Sequence, residues 1–557
     1  MSTYTLGLDF GTESARAVLV DVTTGQTVAT AVHPYADGVI DERLPGMDRP
    51  LPPDWALQNP ADWIAALERT IPAVLAESGV APEQVVGLGV DFTACTVLPT
   101  TPTGTPLCQL ELYRAQPHAW AKLWKHHAAQ PQADRINELA ALRGEPWLPR
   151  YGGKISSEWL MPKALQILEE APEIYAAAAT IVEGSDWIAW QLTGNLTRNA
   201  CAAGYKACWH KVDGYPSPDF LAGLHPDFSG LYTEKVAGPV VPPGARVGGL
   251  TPEWAARLGL REGAPVAAPI IDAHSATLGG GVTGPGTMFL IMGTSTCHML
   301  MAEEEKLVEG IAGVVEDGIA PGYFGYEAGQ SAVGDIFAWF VEQGVPPAYH
   351  QEAAEQGVSL HQVLSRKAAA LRPGESGLLA LDWWNGNRST LMDADLSGLL
   401  LGYSLTTKPE EIYRALIEAT AFGTRTIIQA FTDQGLPVRS LVTGGGLTKN
   451  PLLMQIYADI TGRELAVAGS EQVSALGAAM LASVAAGAQA GGHDTLAEAA
   501  AHMAPPPTQV YRPQPDNQPI YDILYAEYRK LYDYFGRGGN NVMKVLKRLR
   551  QGRREEE

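Results

Sequence analysis

An internal repeat of a strand, a glycine turn and a second strand constrains this chain more than any other feature. Near the start, the apolar residues 5–8 lead into the turn DFGTES (residues 9–14) and a second apolar segment, residues 17–21. Far downstream, residues 287–292 lead into the turn GTST (residues 293–296) in the same way. Two copies of one pattern predict a chain built from two related units.

Helices and strands follow in the same order in both halves. Residues 60–78 have apolar residues at helical spacing, with Pro60 suited to a first helical turn, and the apolar residues 85–92 come next. Residues 409–435 likewise predict a long helix before a strand at residues 440–442. This order predicts an α/β fold of two homologous lobes with a cleft between them.

The predicted boundary between the lobes lies in a glycine-rich segment that divides the chain into residues 1–282 and 283–557. The stretch between residues 109 and 269 is rich in Trp, Tyr and Pro, and we expect it to form insertions on the substrate side of the first lobe. A last helix is predicted near residues 520–535. The basic tail, residues 544–554, is interpreted as a short amphipathic helix or a frayed end.

Composition excludes several classes of protein. The chain has 40 Lys and Arg against 61 Asp and Glu, a net charge of −21, which disfavours a nucleic-acid binder. The longest uncharged apolar stretch, residues 474–492, is rich in Ala and Gly and predicts a buried helix, not a membrane span. No basic segment precedes an apolar run at the N-terminus, so no secretory signal is predicted. Five scattered cysteines are typical of reduced thiols in the cytoplasm.

The first glycine turn has the chemistry of a phosphate site. Gly11 allows backbone N–H groups to face outward as an anion-binding nest, and the hydroxyls of Thr12 and Ser14 add donors. Arg16 adds a cation, and Asp9 is a candidate to hold Mg²⁺ through water. The alternative is an ordinary hairpin turn that begins with an aspartate.

The second turn repeats these donors. Gly293, Thr294 and Ser295 would present a further set of N–H and hydroxyl groups. Both Gly11 and Gly293 are expected to have positive φ, a conformation that glycine adopts without strain. Two such turns facing each other would hold a polyphosphate from both lobes.

A third glycine-rich segment, GGGLTKN, follows the predicted strand at residues 440–442. We expect Gly444, Gly445 and Asn450 to lie close to a nucleotide, and the alternative is a plain strand-to-helix loop. Another string, GGGVTG (residues 279–284), fits a dinucleotide-binding pattern, but Pro285 follows it and no helix opens there. No P-loop sequence occurs.

Together the three glycine segments resemble the FGGY family of carbohydrate kinases, whose fold is actin-like (ribonuclease H-like), over nearly the whole chain. Longer segments resemble the branch of the family that phosphorylates L-ribulose. These segments are GVDFTACTVLP (89–99), PHAWAKLWKHHAAQ (117–130), GGKISSEWLMPK (152–163), AGYKACWH (203–210), PIIDAHSATLGGG (269–281), IMGTSTCHM (291–299) and YRALIEATAFGTR (413–425). One departure is LYRAQPHAW (112–120), which stands where other sugar kinases of the family carry Trp-x-Asp-x-Arg.

The resemblance implies a catalytic base and a sugar site. It makes Asp272 the base, at the end of a predicted strand, residues 266–271, where a carboxylate can face a cleft. It also implies that Ala94, Lys206, Asp272 and Glu327 contact the sugar. From the residues alone, Asp272 could equally cap the following helix, and Lys206 and Glu327 could be surface or ion-pair residues.

The activity that the resemblance implies is transfer of the γ-phosphoryl group of MgATP to L-ribulose, giving L-ribulose 5-phosphate in L-arabinose catabolism. The cofactors would be ATP and Mg²⁺, and the partners a small pentulose and MgATP, with no nucleic acid, no membrane and a homodimer as one option. The alternatives are another family kinase, acting on xylulose, D-ribulose or glycerol, and a non-kinase actin-like ATPase.

Overall fold

Two mixed sheets of seven strands each organise residues 2–550, the part of the chain that the structure, a computed structural model, describes. The strands in chain order are β1 (Tyr4–Phe10), β2 (Ser14–Asp21), β3 (Thr27–Pro34), β4 (Leu57–Gln58), β5 (Val85–Phe92), β6 (Val97–Thr100), β7 (Ala121–Lys122), β8 (Thr180–Glu183), β9 (Arg198–Asn199), β10 (Val240–Val241), β11 (Arg246–Gly249), β12 (Pro265–Ala267), β13 (Ile270–Ile271), β14 (Thr287–Met292), β15 (Thr296–Ala302), β16 (Gly313–Glu316), β17 (Phe324–Gln330), β18 (Leu379–Leu381), β19 (Leu399–Leu401), β20 (Ser440–Gly444), β21 (Leu465–Val467) and β22 (Gln509–Tyr511).

The helices connect and cover these strands. In chain order they are α1 (Pro60–Ser78), α2 (Gln130–Arg143), α3 (Leu160–Glu170), α4 (Pro172–Ala177), α5 (Gly184–Thr193), α6 (Ala200–Ala207), α7 (Pro218–Leu224), α8 (Pro252–Leu258), α9 (Asp272–Gly279), α10 (Gly334–Gln343), α11 (Pro347–Gln356), α12 (Leu360–Ala369), α13 (Pro409–Asp433), α14 (Pro451–Thr461), α15 (Val473–Ala486), α16 (Leu496–Met503), α17 (Gln518–Gly536) and α18 (Val542–Arg550).

The two large sheets repeat one pairing pattern. The first runs β11-β12-β5-β1-β2-β3, with β13 also paired to β5, and the second runs β16-β17-β15-β14-β20-β21-β22. In the first sheet β1 is antiparallel to β2 and parallel to β5. In the second, β14 is antiparallel to β15 and parallel to β20. The predicted pair of related α/β lobes is confirmed.

Local sequence signals placed several elements well. Helix α1 and strand β5 have the predicted bounds, and α13 ends two residues before the predicted end. Asn59 caps α1 by accepting a hydrogen bond from the Ala61 N–H, Pro60 opens it, and Gly79 ends it with φ of 67°. These capping residues are visible in the sequence, so the helix bounds could be predicted from it.

The strand predicted at residues 266–271 is wrong in one respect, because the structure divides it into β12 and β13. Residues 268 and 269 separate them, and Pro269 has no N–H to continue a ladder. Strand β13 pairs with the end of β5, through Ile270 with Asp91 and Ile271 with Phe92. The chain then enters α9 at Asp272, which therefore lies at the carboxyl end of the strands of the first sheet.

The small-residue helix predicted at residues 474–492 is α15, which ends at Ala486 and is largely buried. It comes from the second half of the chain but packs on β1 and β5 of the first sheet and on α9. A Cβ on Gly7 would lie 1.9 Å from the carbonyl oxygen of Ala475, and one on Gly89 would lie 1.9 Å from that of Ala478. Glycine on the strands and alanine on the helix therefore let the two backbones touch.

Insertions surround this double core. Helices α2, α3, α4 and α7 and part of a small sheet, β4-β7-β6-β8, form a separate apolar cluster beside the first sheet, whereas α5 packs into the core of the first sheet itself. The basic tail forms α18 up to Arg550, as the amphipathic-helix interpretation expected, and the remainder lies outside the described residues. Among residues 2–550, no helix combines the length and apolar character needed to cross a membrane. All five cysteines are free thiols, as predicted.

Candidate active site

Three aspartates lie in a row where adjacent strands of the first sheet end. Asp9 on β1 is the register partner of Asp91 on β5, and Asp91 is in turn the partner of Ile270, two residues before Asp272. The carboxyl ends of parallel strands meet at one edge of a sheet, where ligands of α/β proteins bind. Asp91 was not predicted as a site residue, although it is the single charge in the apolar segment VVGLGVDF.

Burial shifts the pKa of each carboxyl upward, and repulsion from neighbouring carboxylates adds to the shift for Asp91 and Asp272. Burial raises the pKa of Asp272 to about 7, and the charge of Asp9 adds to the effect. Burial also raises the pKa of Asp91 well above its usual value, again helped by Asp9 and Asp272. For Asp9 burial outweighs the opposing effect of Arg16, whose Nε lies 3.5 Å from the Asp9 Oδ2 atom. A carboxyl that titrates near neutral pH suits a general base.

Asp91 is buried beside Asp9, and the charge of Arg16 only partly offsets the rise that burial causes in the pKa of Asp91. It is fully buried, and neither of its oxygens has a hydrogen-bond donor among the described residues. A hydrogen bond between the Asp91 and Asp9 side chains therefore requires a proton on one of the two. The raised pKa of Asp91 assigns that proton to Asp91, leaving Asp9 as the charged member of the pair.

Asp272 is the first residue of α9, and its Oδ1 atom accepts a hydrogen bond of 2.7 Å from the Ala273 N–H. The helix-capping alternative is thus partly fulfilled. One carboxylate oxygen is used at the start of the helix, and the second is left for another partner. The side chain is half-buried, so the same group can contact a ligand.

The first glycine turn is held from outside by an insertion. The Gly11 N–H donates to the Ser14 carbonyl at 3.0 Å. The Thr12 carbonyl accepts from Gln58, and the Thr12 hydroxyl accepts from the Trp124 indole N–H at 3.1 Å. Since Trp124 supplies its own hydrogen, the hydroxyl hydrogen of Thr12 remains available for a ligand.

The second turn has matching geometry but a different support. The Gly293 N–H donates to the Ser295 carbonyl at 2.9 Å, and the Thr294 carbonyl accepts from residues at the start of α10. Gly293 and Thr294 are exposed and Ser295 is half-buried. The expectation of positive φ at Gly11 and Gly293 is wrong, because neither glycine is in that region. What Gly293 provides is open space, since the nearest atom to a Cβ there would be 3.9 Å away.

The third glycine segment does use a left-handed conformation, at Gly445 with φ of 100°. Gly444 ends β20 and is buried, while Gly445 is exposed. Asn450 is the N-cap of α14: its Oδ1 accepts from the Leu453 N–H and its Nδ2 donates to Ser365. The side chain of Asn450 therefore caps α14, and its contact with a nucleotide stays a prediction.

The predicted sugar residues form a buried ion pair across the two halves. The Lys206 Nζ atom on α6 lies 2.8 Å from the Glu327 Oε2 atom on β17, with the side chains 5% and 4% exposed. The ion-pair alternative for these residues is thus realised, but in the core and not on the surface. Arg388 contacts the other oxygen of Glu327, and sequence reasoning did not identify it.

Electrostatics link this cluster to Asp272. Burial alone would raise the pKa of Glu327, but Lys206 and Arg388 outweigh it and lower that pKa to about 2. The charges of Glu327 and Lys206 both act on Asp272. His274 lies 3.6 Å from Glu327, and burial lowers its pKa to about 3, so the imidazole is neutral. The neighbour of Ala94 in sequence, Cys95, lies close enough to Lys206 for the charge of Lys206 to act on its thiol. Ala94 is therefore near this cluster.

The residues present fit a hydrated divalent cation bound with phosphates. In the described part of the chain, no group of three or more acidic, His or Cys side chains is arranged to hold a metal ion. Mg²⁺ in phosphoryl-transfer sites is held by one or two carboxylates, water and the phosphates themselves. Asp9, which is 15% exposed and lies beside the first glycine turn, can supply such a carboxylate.

Comparison with known proteins identifies the family of this chain. Residues 4–279 match the family model of the FGGY family of carbohydrate kinases, N-terminal domain, and residues 288–486 match that of the C-terminal domain. A ribulokinase from Geobacillus thermodenitrificans is 58% identical over 98% of this chain and 97% of its own length. One from Mycolicibacterium smegmatis is 52% identical over 98% of this chain and 96% of its own.

Solved structures share the fold at much lower identity. A xylulose kinase from Rhodospirillum rubrum superposes with a TM-score of 0.76 at 23% identity, covering 95% of this chain and 98% of its own. A glycerol kinase from Plasmodium falciparum with ADP gives 0.74 at 17% identity over 95% and 98%. The predicted actin-like two-lobed fold is confirmed. The chain belongs to the FGGY family of carbohydrate kinases.

Proposed function

We propose that this chain catalyses ATP-dependent phosphorylation of L-ribulose to L-ribulose 5-phosphate in the catabolism of L-arabinose. The observation that carries the proposal is the 58% identity, over nearly both full lengths, to a protein named ribulokinase. The carboxylate row and the buried Lys206–Glu327 pair add the groups that such a reaction needs.

Asp272 is the proposed general base. It accepts the proton of the terminal hydroxyl of the sugar as that oxygen attacks the γ-phosphorus. The bond between the γ-phosphorus and the bridging oxygen breaks, and ADP leaves with that oxygen on its β-phosphate. A pKa of about 7, raised by burial, leaves a large fraction of Asp272 deprotonated at neutral pH. Its free carboxylate oxygen is the acceptor, since the other is bound by the Ala273 N–H.

Sugar binding is assigned to Ala94, Lys206, Asp272 and Glu327. Lys206 donates to a hydroxyl or to the keto oxygen, and Glu327 accepts from sugar hydroxyls. Because Lys206 comes from the first half of the chain and Glu327 from the second, a sugar bound to both favours the closed arrangement of the lobes. Closure excludes water from the reacting phosphate.

ATP binding is assigned to the glycine turns and the glycine-rich loop. The residues are Asp9, Gly11, Thr12, Ser14, Arg16, Gly293, Thr294, Ser295, Gly444, Gly445 and Asn450. Mg²⁺, when bound, neutralises charge on the phosphates, and Asp9 would hold it through water. The division into lobes at residues 1–282 and 283–557, a cytoplasmic location and a homodimer belong to the same proposal.

The test is a panel of sugars assayed for ATP-dependent phosphorylation. Purified chain is incubated with MgATP and, separately, L-ribulose, D-ribulose, xylulose, glycerol or buffer, and ADP release and the phosphorylated product are measured. We expect L-ribulose to give product phosphorylated at the terminal hydroxyl, with ADP release far above the buffer control. The Asp272→Asn variant is the matched negative control.

Each alternative gives a different result in this panel. Turnover that is higher with xylulose, D-ribulose or glycerol than with L-ribulose would replace the proposed substrate within the family. ATP hydrolysis that no sugar stimulates would contradict a kinase and favour a non-kinase ATPase. Phosphorylation of L-ribulose at another hydroxyl would contradict the proposed product.

A further inference from the structure

Arg388 reaches the predicted sugar site from a loop between β18 and β19. Its guanidinium contacts Glu327 Oε1, while Lys206 contacts Oε2, so each oxygen of this carboxylate has its own cation. The Arg388 Nη1 atom also lies 3.8 Å from the Cys297 Sγ atom at the start of β15. Glu327 is almost completely buried, whereas the Arg388 side chain is 34% exposed and so is partly accessible to solvent.

The loop that carries Arg388 is closed on itself and fastened to the second sheet. Asn387 and Asp393 exchange two backbone hydrogen bonds of 2.9 and 2.8 Å. The Ser389 hydroxyl accepts from the Gly329 N–H on β17, two residues after Glu327. The side chain of Arg388 packs over the same glycine, because a Cβ on Gly329 would lie 3.0 Å from the Arg388 Cδ atom.

The C-terminal helices support this loop from behind. The Tyr532 hydroxyl on α17 is 2.9 Å from that of Thr390. On α18, Lys544 pairs with Asp393 at 2.6 Å and Lys547 with Asp395 at 3.1 Å. The basic tail that stood out in the sequence is thus paired with the acidic end of the Arg388 loop.

The loop also touches the other half of the chain. Met392 packs against Gly152, where a Cβ would lie 2.4 Å from the Met392 Sδ atom. The charge of Glu158, in the same segment as Gly152, acts on Arg388. Arg388 therefore sits where the two halves meet on the sugar side.

We propose that Arg388 is a positioning residue of the sugar site, which holds the Glu327 carboxylate in the orientation that receives the sugar, and that α18 keeps its loop in place. This inference rests on the proposed function. A planar guanidinium and an ammonium, one on each oxygen, fix both the position and the rotation of a carboxylate, which a single cation does not.

The test compares the effect of Arg388 variants on the KM for L-ribulose with their effect on the KM for ATP. Arg388→Ala should raise the KM for L-ribulose by about 10- to 100-fold, because one side of a buried charge cluster is removed, while the KM for ATP stays within about twofold. Arg388→Lys should recover part of the loss, since it restores the charge but not the forked geometry. Arg372→Ala, which removes an exposed arginine paired with Glu375, is the matched control and should leave both constants unchanged.

Calorimetric titration of L-ribulose into each variant, without nucleotide, measures binding directly and should follow the change in KM. Equal increases in both KM values for Arg388→Ala, or an unchanged KM for L-ribulose, would overturn the inference. So would an Arg388→Lys variant no better than Arg388→Ala.

A second variant tests the support from α18. Lys544→Glu combined with Lys547→Glu should raise the KM for L-ribulose by about 2- to 10-fold and leave that for ATP unchanged, since two exposed ion pairs are replaced by repulsion. An unchanged KM for L-ribulose would overturn the role of α18.

Failure of the proposed function has a separate signature. If the unmodified chain does not phosphorylate L-ribulose but accepts another sugar, the proposed substrate fails, and the Arg388 variants are then measured with that sugar. If it phosphorylates no sugar, both proposals are overturned.

Discussion

The two sheets share one pairing pattern but carry different chemistry at equivalent positions. In the first, Asp9 pairs with Asp91 between β1 and β5. In the second, Ile291 and Gly444 take the same places between β14 and β20. The helices that pack together between the sheets begin with Asp272 in one case and Val473 in the other. The proposed acid–base chemistry thus lies in the first lobe, whereas an isoleucine and a glycine occupy the equivalent positions in the second.

The glycine turns, in contrast, are alike in both lobes. Each has a glycine N–H that donates to a carbonyl two or three residues later. Backbone amides can bind phosphate in such a turn, so we expect duplication of the fold to have duplicated the proposed phosphate site. A base is needed once, and a second set of carboxylates beside the phosphates would only add repulsion.

The largest effect should come from Asp272, the proposed base, whose place in the second lobe is taken by Val473. Asp272→Asn is expected to lower kcat by about 10²- to 10⁴-fold while sugar and ATP still bind, since the amide cannot accept the proton. Steady-state kinetics with calorimetric titrations measure both. The exposed Asp516→Asn is a control. Near-normal turnover of Asp272→Asn would contradict the assignment of Asp272 as the base.

The pH profile should report the same group. Since the pKa of Asp272 is about 7 and the deprotonated form is active, kcat/KM should rise by about 50-fold from pH 5 to pH 7 and level off above pH 8. The residual activity of Asp272→Asn should lack this dependence. A profile that is flat from pH 5 to pH 8 in the unmodified chain would contradict the assignment.

Glu327 tests whether the second lobe contributes to the sugar site. Glu327→Ala leaves Lys206 and Arg388 without their shared partner, and we expect the KM for the pentulose to rise by about 30-fold or more.

Small-angle scattering should show the radius of gyration of the unmodified chain falling with pentulose and a non-hydrolysable ATP analogue. The variant should compact less while its nucleotide affinity is nearly unchanged. No compaction of the unmodified chain would disprove closure.

Valine substitutions test whether the two glycine turns contribute to ATP binding in the same way. Gly11→Val and Gly293→Val each place a branched side chain where phosphates approach, and ATP affinity should fall by about tenfold or more, with pentulose affinity retained. Gly11→Val should also lose more thermal stability, since a Cβ there would lie 3.2 Å from the Ser14 carbonyl oxygen. Equal losses of affinity for both ligands would indicate general misfolding.

The smallest effect is expected at Asp91, the acid that Gly444 replaces in the second sheet. Asp91→Asn keeps a hydrogen-bond donor toward Asp9 and should change kcat by no more than about fivefold. Asp91→Ala removes that donor and should lower kcat by about tenfold. Thermal unfolding provides the control for stability. A loss with Asp91→Asn as large as that with Asp91→Ala would show that Asp91 acts as a carboxylate.

Much of the fold could be predicted because its signals are local. The glycine turns, the caps of α1 and the apolar strands are each written in a few consecutive residues. Prediction failed where a distant contact decides the conformation. The φ angles of Gly11 and Gly293 depend on how the turns are held, and the strand before Asp272 is interrupted at Pro269.

The sequence by itself determined the repeat, the two α/β lobes and the resemblance that singled out Asp272, Lys206 and Glu327. Only the tertiary structure decided that Lys206 and Glu327, 121 residues apart, form a buried pair, and that Arg388 completes it. The same holds for Asp91, which looks like one charge in a strand until its neighbours prove to be Asp9 and Asp272. The reason is physical: a charge acquires its pKa and its role from groups within a few ångströms, and chain folding chooses those groups without regard to their separation in sequence.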